Sequence, residues 1–122
     1  MCIRDRSLTR SHICRVITFD EQVLAFHIVC KVADELHILN IVVATQVQGI
    51  GLGHVIMQDI VKIAQSEMLK TLFLEVRASN ETAQALYLKW QFEQIALRKG
   101  YYRSINGKTD QREDALVFAR SL

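Results

Sequence analysis

The sequence predicts an α/β domain built on a mixed sheet with two helices, and three observations predict it. Residues 13–44 alternate apolar segments with short polar breaks, the pattern of consecutive antiparallel strands. Residues 41–76 run from a β-branched strand through glycines into an amphipathic helix and out into another strand, a βαβ unit. Residues 79–119 then supply a second helix and two closing strands around a polar loop.

Taken in order, the first seven residues show no periodicity and resemble the translated remnant of a sequencing adapter. They are expected to stand outside the fold, leaving 8–122 as a single domain whose natural beginning lies upstream. Residues 13–19 favour strand, Asp20-Glu21 supply a polar turn, and 22–32 return with Val23, Leu24, Phe26, Ile28 and Val29, so a hairpin is expected. After a break at 31–35, residues 36–44 form a third strand, whose end, Ile41, Val42 and Val43, reads as buried on both faces. His27 and His37 fall inside strands, where a lone histidine is more often a packed or surface residue than a ligand. No metal site is expected.

In the following helix His54, Gln58, Lys62 and Gln65 repeat at helical spacing opposite Leu52, Ile56, Ile60 and Ile63. Met57 and Met68 read as core fillers. In the next strand, 69–76, Leu72, Leu74 and Val76 share one face while Thr71, Phe73 and Glu75 share the other. A βαβ crossover makes its two strands parallel. The second helix begins at Ser79-Asn80-Glu81, since Ser or Asn can cap its exposed N–H groups and Glu81 suits its positive end. Ala83, Leu86, Tyr87 and Trp90 form its apolar face, and strands 93–98 and 115–119 flank the polar loop 99–114.

Composition narrows the function. The chain has 122 residues, half of them hydrophobic, and 15 Lys plus Arg against 13 Asp plus Glu, a formal charge of +2 without a basic block. This argues against nucleic acid as the main partner, because phosphate-backbone binders concentrate their cations. No apolar run approaches the roughly 18 residues of a membrane span. Cys2, Cys14 and Cys30 are odd in number and lack C-x-x-C spacing, which suits reduced thiols in a cytoplasm.

The most informative stretch is Ile41-Val-Val-Ala-Thr-Gln-Val-Gln-Gly-Ile-Gly-Leu-Gly-His54. Gly49, Gly51 and Gly53 let the backbone turn tightly and deliver a helix N-terminus, whose unpaired N–H groups and dipole suit an anion such as phosphate. The spacing is not the dinucleotide G-x-G-x-x-G, because His54 stands at the third glycine position, and the Gly-Lys-Ser/Thr of a Walker loop is absent. What remains is Gln48-x-x-Gly51-x-Gly53, which resembles the acyl-coenzyme A pyrophosphate loop of the GNAT acetyltransferases.

Further motifs in register strengthen the resemblance. Leu74-Glu-Val-Arg-Ala-Ser-Asn80, Ala85-Leu-Tyr87 and Phe92, then Tyr101-Tyr102 and Glu113-Asp-Ala115, are similar to the RimI-type ribosomal-protein alanine N-acetyltransferases from about residue 34 onward. The resemblance implies the GNAT acyl-CoA N-acyltransferase fold lacking its first strand and first two helices. It implies acetyl-CoA as co-substrate, with Ile41, Val42 and Val43 bordering the pantetheine arm. Gln48, Gly49, Ile50, Gly51, Leu52, Gly53 and His54 would surround the pyrophosphate, and Asn80 would hydrogen-bond the cofactor arm. Glu75 matches the family's general base and Tyr87 its general acid, while Tyr101 and Tyr102 are candidates for peptide contacts. The acceptor so implied is the N-terminal alanine of a small-subunit ribosomal protein in a bacterial cytoplasm.

These roles are chemically coherent. An N-terminal amine has a pKa near 8, so about a tenth is free at neutral pH, and a base must take a proton. A buried carboxylate can do so, and a tyrosine can protonate or hydrogen-bond the departing thiolate. Read from the residues alone, Glu75 is equally a solvated carboxylate or a partner of Arg77, and Tyr87 equally a core aromatic. Two departures stand out: Gly49-Ile50 replace arginines common in relatives, and Gln91 stands where glycine commonly precedes Phe92. Other readings are a GNAT enzyme acting on a small-molecule amine and a non-catalytic acyl-CoA binding module.

Overall fold

The computed structural model describes residues 1–7, 9–103 and 112–122. It divides into two units, Met1–Leu72 with Leu122, and Phe73–Ser121.

The first unit is an antiparallel meander in the order β1 (Cys2–Asp5), β2 (His12–Phe19), β3 (Gln22–Val32) and β4 (Glu35–Val43). Strand β1 is an addition to the three strands read from the pattern, and it pairs Cys2 to Asp5 against Thr18 to Arg15. The β2–β3 turn holds Asp20 and Glu21 at φ 48° and 63° between the paired Phe19 and Gln22. Two successive positive φ values match the twist of a two-residue hairpin.

Helix α1 (Leu52–Ser66) packs on β3 and β4. Its spacing works as expected: Leu52, Ile56, Ile60 and Ile63 are buried with Met57, Val61 and Ala64. Each large side chain so removed from water contributes about 1.5–3 kcal/mol. Met68 is a correction, since it is 85% exposed. It occupies the left-handed position just past the helix, with φ 55°, its N–H on the Gln65 carbonyl and that of Leu69 on the Ala64 carbonyl. This is a Schellman end, in which Met68 stands where glycine is usual.

His27 is packed, at 2% exposure, with Nε2 2.8 Å from Asp59 Oδ2 of α1. Arg15 Nε lies 3.1 Å from the same oxygen, so a buried imidazole and a cation share one carboxylate. The carboxylate offsets part of the cost of burying the imidazole.

Strand β5 (Thr71–Arg77) leads into the second unit, where β7 (Arg112–Ser121) lies between β5 and β6 (Glu93–Arg103). Strands β6 and β7 are antiparallel. Helix α2 (Glu81–Lys89) ends in a second Schellman motif: Phe92 N–H reaches the Tyr87 carbonyl and Gln91 N–H that of Leu88, with Gln91 at φ 67°. Gln91 thus takes the left-handed backbone that suits the glycine common at this position. Leu74, Val76, Tyr87, Phe92, Ala115 and Phe118 are buried. Both closing strands run longer than the sequence suggests, so Tyr101 and Tyr102 lie in β6 and not in a loop. Residues 104–111 of that expected loop lie outside the described residues.

Candidate functional site

In the first unit β4 carries a bulge. Asn40 pairs with Ile28 but Ile38 with Val29, which leaves Leu39 as an extra residue and bends the strand. Leu36 and Ile38 before it are buried, whereas Ile41 and Val43 are half-buried and Val42 is 37% exposed. The strand end is therefore not buried on both faces as its composition suggested. An antiparallel meander covers one face of its strands, and the bulge interrupts the alternation that would hide the rest.

A short 3-10 turn, Thr45–Val47, follows, and Gln48 Nε2 donates to the Val43 carbonyl at 3.2 Å, tying the loop back to the strand. Gly49 and Gly51 have φ 86° and 90°, a region closed to β-branched residues. Gly53 does not take part in that turn, because it already lies within α1. Gly51 is the N-cap of α1, where no side chain caps the helix and no acid stands in the first turn. Its carbonyl accepts from His54 and Val55. A Cβ added to Gly49 or Gly51 would meet nothing within 4 Å, so the backbone is open to an approaching group. An uncapped, acid-free helix start behind an open glycine backbone has the chemistry that suits an anion, and Ile50 and His54 are exposed beside it.

In the second unit Glu75 is 28% exposed at its side chain, on the half-buried face of β5. Its partner is Arg98, with Nη1 3.3 Å from Oε1, and not the adjacent Arg77. Arg77 donates instead to the Arg103 carbonyl at 2.9 Å and to Glu113. Glu113 also accepts the Ser79 N–H at 2.6 Å. The Ser79 hydroxyl, then its N–H, and Arg77 hold the Glu113 carboxyl below the ordinary range.

Of the two possible helix caps, Asn80 is the one used: its Oδ1 accepts the Ala83 N–H at 3.1 Å. That leaves its Nδ2 amide to offer a ligand. Gln84 Nε2 donates to the Arg77 and Ala78 carbonyls, fixing the turn from the other side.

Tyr87 is both a core aromatic and a polar group held dry. It is 7% exposed, with ring centroids 5.9 Å from Phe92 and 6.2 Å from Phe118. Burial, and to a lesser degree Tyr102, pushes its phenol up to about 12. Such a group stays protonated at any physiological pH. Full transfer of its proton to a thiolate of pKa near 8.5 costs about 5 kcal/mol, so hydrogen-bond donation is the easier way for it to stabilise a thiolate.

Gly100, at φ 63°, forms a bulge in β6, between Arg98 paired with Ala115 and Tyr102 paired with Glu113. Asp114 Oδ1 accepts the Gly100 N–H at 2.9 Å and pins it. The bulge sets Tyr101 and Tyr102 edge to face at 5.0 Å. Arg77 lies 4.4 Å from the Tyr102 ring centroid, and Arg98 5.2 Å from that of Tyr101. Burial, then Glu75 and Tyr101, raise the Tyr102 phenol. Glu75, Tyr101 and Tyr102 therefore share one cluster with two arginines. Sequence reasoning missed Arg98, because a cation in an exposed strand carries no local mark of the carboxylate it meets.

Among the described residues, no group of three or more His, Cys, Asp or Glu is placed to hold a metal ion. No helix among them is long and apolar enough to cross a membrane.

A family model for acetyltransferases (GNAT) matches residues 3–92. The chain is 36% identical over 103 residues to the [Ribosomal protein bS18]-alanine N-acetyltransferase of Salmonella typhimurium, covering 84% of this chain and 67% of that protein. The crystal structure of the ribosomal-protein-S18-alanine N-acetyltransferase from Escherichia coli superposes with a TM-score of 0.84 at 34% identity, over 93% of this chain and 70% of the other. A GNAT acetyltransferase from Elizabethkingia anophelis, solved with acetyl-CoA bound, shares the fold at a TM-score of 0.85 and 15% identity, covering 99% of this chain and 97% of that one. With a family model over most of its length and relatives of this identity, the chain belongs to the GNAT family of acetyltransferases.

Proposed function

We propose that this protein transfers acetyl from acetyl-CoA to the α-amino group of a protein N-terminus, the N-terminal alanine of ribosomal protein bS18. The observation that carries this reading is the 36% identity over 103 residues to an enzyme named for that reaction. The reading places the protein in a bacterial cytoplasm.

Acetyl-CoA supplies an activated acyl thioester, and the chain's own residues do the rest. The backbone from Gln48 to His54 holds the pyrophosphate on the N–H groups of the α1 start, and Ile41, Val42 and Val43 border the pantetheine arm. Asn80 offers its Nδ2 to the same arm. Lacking arginines at positions 49 and 50, the loop relies on backbone donors, and its affinity is correspondingly modest. Glu75 accepts a proton from the acceptor ammonium, directly or through a water, and the freed amine attacks the thioester carbonyl. Tyr87 donates a hydrogen bond to the sulfur as the C–S bond breaks. The two tyrosines of β6 face the acceptor peptide.

Thiol release from acetyl-CoA with an alanine-starting peptide tests the reading. Glu75→Gln is expected to lower kcat by about 10²-fold or more while the KM for acetyl-CoA stays within about two-fold. Equal turnover in both proteins would remove Glu75 as the base. Activity on small amines and none on the peptide would overturn the acceptor.

A further inference from the structure

The contact between Glu75 and Arg98 is built across an intervening strand. Glu75 stands on β5 and Arg98 on β6, with β7 between them, so the guanidinium spans two strand spacings, about 9–10 Å. Arg98's partner on β7 is Ala115, a small residue. A long charged side chain thus starts opposite a small residue and reaches a carboxylate two strands away. Arg98 remains 55% exposed, and its guanidinium lies 5.2 Å from the Tyr101 ring centroid, a second place for a cation to rest.

We infer that Arg98 is a placeholder for the acceptor: its cation occupies Glu75 in the free protein, yields to the incoming ammonium, and moves onto Tyr101. The inference rests on the reading of Glu75 as the base for an amino acceptor. Its consequence is that the acceptor's positive charge competes with Arg98 for Glu75. An acceptor that brings its own positive charge replaces the ion pair it breaks, whereas a neutral hydroxyl or amide breaks it without return. Because the pair is partly exposed, displacement is cheap enough not to block the right acceptor. Arg98 acts through Glu75 and is a positioning residue.

Two ligands and three proteins test this. The ligands are an alanine-starting peptide, read by its KM, and the same peptide with hydrogen in place of the α-amino group, read by its inhibition constant. The proteins are the full chain, Arg98→Met, which keeps a long stem without the charge, and Arg98→Lys. Removing the competitor is expected to lower the peptide KM about two- to five-fold, the range open to an exposed ion pair. Arg98→Lys falls between, and the desamino peptide, which presents no polar group to Glu75 and leaves the ion pair standing, has the same inhibition constant in all three. A peptide KM that is unchanged or higher in Arg98→Met overturns the inference, as does an equal change for both ligands, which would make Arg98 a general part of the peptide groove. If the unsubstituted chain acetylates the peptide while the KM fails to move, the inference alone is lost. If it does not acetylate the peptide, the proposed function falls and the inference with it.

Discussion

At the scale of single residues, the two side chains proposed for the chemistry differ in environment, and the difference is measurable. Tyr87 is enclosed by Phe92 and Phe118 and its phenol ionises only near about 12, against about 10 in an unfolded chain. The folded value is the higher one, so the stabilisation it represents is complete below pH 10 and is lost as pH rises towards 12. Over that window wild-type unfolding free energy should fall by about 3 kcal/mol through this group, whereas Tyr87→Phe should lack this component. Denaturant titrations of both proteins at several pH values between 9 and 12 measure it, and parallel curves would show that the phenol is not held dry. Glu75, by contrast, keeps a solvated edge and a dedicated cation. Its residue type and its strand face were legible in the sequence. The identity of its partner was not, because Arg98 is 23 positions away in sequence and reaches it across β7. Asn80 shows a different limit. Ser79 and Asn80 were equal candidates for the cap, and the structure separates them: Asn80 caps the helix, while Ser79 meets the Glu113 carboxylate of β7.

At the scale of elements, local pattern determined most boundaries, and the departures trace to backbone devices that pattern does not encode. The bulge at Leu39 exposes a strand end that looks fully apolar, and the Gly100 bulge lets β6 continue through a stretch that reads as loop. Met68 reads as core because hydrophobicity alone carries no mark of the helix end. Both helices close with non-glycine residues in the left-handed region, Met68 at φ 55° and Gln91 at φ 67°. Neither is anchored by its own side chain, since both are exposed. Relief of this strain should outweigh the added freedom of glycine in the unfolded chain. Met68→Gly and Gln91→Gly are therefore each expected to raise unfolding free energy by about 1 kcal/mol, and the double variant by the sum. Thermal or chemical unfolding decides it, and destabilisation by either substitution would mean that its side chain makes an essential contact.

At the scale of the whole chain, the proposed function links binding of acetyl-CoA to folding stability. Whatever binds the native state alone stabilises it, by about 2.7 kcal/mol at a concentration one hundred times the dissociation constant. For a chain of 122 residues this raises the unfolding midpoint by about 10 °C. If the loop from Gln48 to His54 is where the pyrophosphate rests, that shift must depend on the turn that opens the start of α1. Gly51 is the sensitive point, because a valine there is forced to φ 90°, and the loop rearranges or the helix loses its first turn. Gly51→Val lowers the midpoint by itself, so the informative quantity is the increment on adding acetyl-CoA. That increment is expected to be near 10 °C in the unsubstituted protein and close to zero in Gly51→Val under the same conditions. Equal increments would move the phosphate site elsewhere in the chain. An increment absent from both would remove acetyl-CoA as the ligand, leaving a family fold whose loop serves another anion.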